Sequence, residues 1–166
     1  MPQSFGNSIA DSLQLCLGYS KGLLKDVRPE IFGTFGDGVE SNHGAFIYGH
    51  LSLYATEVVE GLGHDPIEIP AGFSEHFSKD ATCIDGSAVD LPSMEAITTF
   101  YFDAWNLALE KLREADDEVL QRPTEGSMAE RFPTLGSVLN FYSSGHMMMH
   151  LGQMSAWRRM HKLGPC

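Results

Sequence analysis

Cysteine is scarce in this chain, and Cys16, Cys83 and Cys166 are odd in number, far apart and without a CxxC pair. That excludes a disulfide framework and a thiolate zinc knot. Positive charge is scarce too: 11 Lys and Arg face 22 Asp and Glu, for a formal net charge of −11. Nucleic acid and anionic membrane surfaces both need clustered cations, so neither is an expected partner. No run of about 18 apolar residues is present to span a bilayer. The opening MPQSFGNSIADS has no basic stretch followed by an apolar core, and a cytoplasmic setting is expected. No P-loop, no GxGxxG ahead of a helix and no Ser/His/Asp order is found, which leaves nucleotide cofactors and triad chemistry without support.

The 166 residues, 43% of them hydrophobic, are enough for a single domain over 1–166 with its own core. Apolar residues recur near every third and fourth position in four segments, and strand-type alternation is absent. The first runs over about 5–27, with Ser4 as N-cap and Pro29 beyond its end; Gly18 and Gly22 weaken it and mark close packing. The second covers about 42–62 and carries His50 at its middle. The third starts behind Ser93 and runs through Trp105 to Leu112. The fourth starts behind Thr134 and runs for roughly 30 residues to Gly164 and Pro165. An all-α four-helix bundle is the expected fold. Residues 64–92, rich in Gly, Pro, Ser and Asp, form a long loop with room for one short helical turn. Loops of that length usually have a task, here covering a site.

His146 and His150 are four apart in the fourth segment, one turn apart on one helix face. They sit in GHMMMHLGQM, where an imidazole needs partners for its nitrogens. A shared metal ion supplies them; hydrogen bonds to carbonyls or water are the plainer alternative. His50, in YGHLSLY at the centre of the second helix, adds a third imidazole from a core-like position. Facing helices of a bundle are where such sites are built. Three neutral nitrogens suit one divalent ion, Zn2+ or Ni2+ first, with Fe2+, Co2+ or Mn2+ acceptable, and leave a position open for water or substrate. Position 147 is Met, so the HExxH glutamate of zinc proteases is missing and peptidase chemistry is disfavoured.

Gly49, His50 and Leu51, followed by His146, His150, Gly152 and Gln153 and by the four-helix order, resemble the DinB-like superfamily, which includes YfiT-type metal-dependent hydrolases and thiol-dependent transferases. The resemblance implies an up-down-down-up bundle, a divalent metal on three histidines, a homodimer, and a small-molecule substrate such as a low-molecular-weight thiol. Catalytic candidates are Tyr54 and Tyr142, four residues from His50 and His146, and Gln153; core packing is the competing role for the tyrosines. His43, seven residues before His50, is too far along the axis to share an ion and is read as a rim or surface residue. His64, His76 and His161 are read as surface residues. At least two of Met147, Met148 and Met149 are expected to pack inside. The reading from another class is a non-catalytic, dimeric bundle that the metal staples together.

Overall fold

A computed structural model describes residues 4–166. Among these residues the regular structure is helical, with two isolated β-bridges and no strand. The elements are α1 (Phe5–Leu23), α2 (Pro29–Phe32), α3 (Gly44–Gly61), α4 (Phe73–Phe77), α5 (Met94–Glu114), α6 (Asp117–Leu120), α7 (Leu135–Asn140) and α8 (Met147–Met160). Among the described residues, no helix is long and apolar enough to cross a membrane.

The caps fall where the side chains dictate. Ser4 accepts from the Asn7 amide at 3.2 Å, Ser93 accepts from the Ala96 amide at 3.1 Å, and Thr134 and Ser137 close a reciprocal box at the start of α7. α1 ends at Leu23, four residues short of the expected 27. Carbonyls at and just beyond its end meet the buried Arg158 guanidinium, whose Nη1 donates to Leu23 O at 2.8 Å and to Lys25 O. A cation at a helix C-terminus is favourably placed against the dipole.

α3 is the central helix, with every residue from Gly44 to Ser52 buried. It packs most extensively on α5, whose inward stripe is Ile97, Tyr101, Ala104, Trp105, Ala108 and Leu112. Trp105 Nε1 donates to Leu51 O at 3.1 Å, and Tyr48 Oη donates to Ser20 O at 2.6 Å, so the polar tips of these two large rings are satisfied inside the core. His50 therefore lies in a helix that is apolar on nearly all sides.

Gly18 and Gly22 do not mark close packing. A Cβ at Gly18 would meet nothing within 4 Å, and one at Gly22 would make only ordinary contact with Cys166. The close approach is at Gly6, against the Leu112 carbonyl of α5. Gly18→Ala, on the exposed side of α1, is expected to raise stability by about 0.5–1 kcal/mol in denaturant unfolding, because helix propensity improves with no clash. A loss of stability would contradict the open space at this position.

The fourth segment is not one uninterrupted α-helix. Between α7 and α8, residues Phe141–His146 form a π-helical turn. A π turn inserts a residue into the ladder and brings i and i+5 side by side. Accordingly the Phe141 ring lies 5.7 Å from the His146 ring, nearer than Tyr142 at 6.4 Å.

Residues 64–92 are anchored to the helices at several points. α4 buries Phe73 against Phe100 and Phe77 against Phe46. Gly86 donates to Gly33 O at 2.7 Å, and the Asp85 carboxylate accepts from the Phe35 amide at 2.8 Å. The Ser87 hydroxyl above all, with the Phe35 and Ser87 amides, donates to this carboxylate and holds its pKa down to about 2.

Candidate metal centre

His50 from α3, His146 from the end of the π turn and His150 from the first turn of α8 come together, with one ligand nitrogen from each lying within 4.8 Å of the others. His50 and His146 are buried and His150 is half-buried. The three residues read from the sequence are thus brought together. No carboxylate or thiol joins the cluster among the described residues.

Two of the rings are oriented by hydrogen bonds on their far side. His50 Nδ1 lies 2.9 Å from the Phe77 carbonyl, so this nitrogen carries the proton and donates it, and Nε2 keeps its lone pair. His150 Nδ1 lies 2.9 Å from Gln153 Oε1 and donates in the same way. That oxygen also accepts from Asn42 Nδ2 at 3.0 Å, which fixes the amide's orientation. Metal-ligating histidines are held by outer partners of this kind. His146 differs: its Nδ1 is buried without a partner, and its ring is held by packing, with Tyr54 at 4.3 Å and Phe141 at 5.7 Å.

The donor set fits a cation. His146 Nε2 and His150 Nε2 are 3.2 Å apart. With His150 Nδ1 protonated toward Gln153, its Nε2 presents a lone pair. Two ligands bound to one zinc at 2.0–2.1 Å in a tetrahedron have nitrogens about 3.3–3.4 Å apart, so the observed pair already has that spacing. Burial and mutual repulsion push His146 and His150 down to about 4, and burial also lowers His50. All three rings are neutral at neutral pH, as ligands must be.

The neighbours depart from the sequence reading in several places. His43 is neither a surface residue nor on the α3 face: it is the N-cap of α3, buried, its Nδ1 accepting from the Phe46 amide at 3.1 Å and its Nε2 donating to Ile84 O at 2.9 Å. An imidazole that serves both as cap and as donor has no lone pair left for a metal. Met148 and Met149 are exposed and only Met147 packs inside, since α8 turns that side outward. Tyr54 and Tyr142 are half-buried, with rings 4.9 Å apart, and line a cavity of about 310 Å³ together with His50, Glu57, Lys79 and Asp80. Residues 78–80 of the long loop form one wall of that cavity. Gln153, a catalytic candidate by sequence, has its oxygen engaged by His150 and Asn42. His64 is exposed, whereas His76 is half-buried in a separate cavity beside His43, and His161 rests on Trp157. Sequence reasoning missed Asn42, because nothing along the chain ties it to a residue 111 positions away.

Gln153→Ala is expected to weaken metal binding about 10–100-fold while leaving the fold intact, since it frees the His150 ring and sits on the exposed side of α8. Competitive chelator titration measures it, and unchanged affinity would show that the amide does not orient the ring.

No protein-family model, curated protein or solved structure matches the chain.

Proposed function

We propose that the protein is a metal-dependent enzyme of the DinB-like type, in which His50, His146 and His150 hold one divalent ion with a coordination position open to the Tyr54 and Tyr142 cavity. The observation that carries this reading is the convergence of three neutral imidazoles, two with their Nδ1 protons committed to Phe77 O and Gln153 Oε1. When bound, the ion would lower the pKa of a water for hydrolysis or hold a low-molecular-weight thiol as thiolate for transfer. The two phenols, half-buried and without hydrogen-bond partners among the described residues, are donors for a substrate oxygen, and residues 78–80 of the long loop wall the cavity. Zn2+ and Ni2+ are the first choices for three nitrogens.

A structural zinc normally has four protein ligands, and this cluster offers three, which favours the catalytic reading over a metal staple. The resemblance carried by Gly49, His50, His146, His150 and Gln153 supports a four-helix arrangement and a cytoplasmic homodimer as parts of the same proposal.

The test is elemental analysis of untagged protein, followed by parallel assays of the reloaded protein on ester and amide substrates and on a thiol paired with an electrophile. About one ion per chain and turnover in one assay are expected. A stoichiometry near zero would remove the proposal.

A further inference from the structure

The His50 cavity is not isolated. A second cavity of about 510 Å³ lies between α3 and α7, and both are lined by Glu57 and Tyr142. His50, Tyr54 and Glu57 follow one another at four and three residues on α3, so a groove leads from the histidines along two helix turns, about 10 Å. Its acidic groups are Glu57, Asp80, Glu60 and Glu125, against Lys79 and Arg122 alone. Glu57 makes no ion pair among the described residues. The place where the cavities meet thus has an unpaired carboxylate beside two tyrosine rings 4.9 Å apart. Carboxylate and ring faces together suit an alkylammonium group.

We infer that the site takes an elongated substrate: one end reaches the metal, and the other carries a protonated amine bound by Glu57 and the faces of Tyr54 and Tyr142. This rests on the metal reading. Beyond the amine, the second cavity continues over the apolar floor of Leu135, Val138 and Leu139, with the buried Thr124 hydroxyl, which lacks a partner, as a further polar contact. A substrate with a terminal carboxylate would meet like charge at the same place. The net charge of −11 steers cations toward the protein in general, and Glu57 makes the selection local.

The test uses the full chain loaded with Co2+ and three six-carbon probes: 6-aminohexane-1-thiol, hexane-1-thiol and 6-mercaptohexanoate. Affinities are read by calorimetry, and the metal is followed through its visible spectrum. The aminothiol is expected to bind about tenfold more tightly than hexane-1-thiol, with the carboxylate weakest and the preference fading as salt rises. Glu57→Gln, at an exposed position, should abolish the preference while leaving the cobalt spectrum and the hexane-1-thiol affinity unchanged. Equal affinities for all three probes, no binding of any, or a preference that persists in Glu57→Gln would overturn the inference with the metal site intact. Absence of any cobalt spectrum would instead remove the metal reading, and this inference with it.

Discussion

Replacement of His50, His146 or His150 by alanine, one at a time, is expected to take bound metal from about one ion per chain to near zero after dialysis, a larger loss than the roughly 10–100-fold cost of removing an outer partner. A three-nitrogen site has no spare donor, so each variant should fail alike. His43→Ala should keep its metal while losing about 1–2 kcal/mol of stability, because it removes the α3 cap. Metal loss from His43→Ala equal to that from His50→Ala would show that the ligand shell is drawn wrongly.

The metal-free forms supply a second readout. His146 is held down to about 4 in the folded chain against an ordinary value of 6.5. As pH falls below 6.5 the unfolded chain takes up the proton first, so metal-free wild type loses stability progressively until about pH 4. Above 6.5 this ring has no effect on the pH dependence. His146→Ala should show a shallower decline across the same window in denaturant unfolding. An unchanged slope would mean that the ring is not desolvated as the structure describes.

Gly49→Ala carries the other large expected effect. A Cβ there would lie under 3.0 Å from three carbons of the Phe77 ring, which is fully buried and has nowhere to go. Alanine gains up to about 1 kcal/mol of helix propensity, but overpacking of a filled core costs about 1–3 kcal/mol and a displaced α4 more, so net destabilisation is expected. Phe77 is also the residue whose carbonyl accepts from His50. The same substitution should therefore weaken metal binding, by about 10–100-fold if that hydrogen bond is lost. Adding Phe77→Leu, which makes room for the new methyl, should recover part of the stability. A Gly49→Ala protein as stable as Gly18→Ala would refute the close packing of α4 on α3.

The pairing of these two glycines shows how much the sequence discloses. Periodicity located the four long helical segments, and the caps Ser4, Ser93 and Thr134 were legible because a cap is a local side-chain event. The histidines were legible as well, since His50, His146 and His150 fall in apolar segments where an imidazole needs a reason. What holds them was not. Phe77 acts through its carbonyl, which every residue has, and Asn42 acts across 111 positions. His43 appeared to stand on the face of the second helix, whereas the helix begins one residue later and uses its ring as the cap. The methionines misled because an apolar run in a helix at the edge of a core cannot reveal which side is covered.

The π turn has no signature in composition, since it is a change of hydrogen-bond register and not of residue type. It places His146 at the junction of two registers, with Ser143 buried beside it and its hydroxyl unpartnered. Such a junction is a weak point in a helix, because its ladder departs from the register of the α-helices on either side and can slip back toward α-helical spacing. Amide protons of residues 141–146 should then exchange with solvent sooner than those of α7 or α8. An ion tying His146 to a histidine from α3 would oppose that slippage and slow the exchange. The turn would thus report occupancy of the site through the rigidity of the backbone, independently of any chemistry performed there.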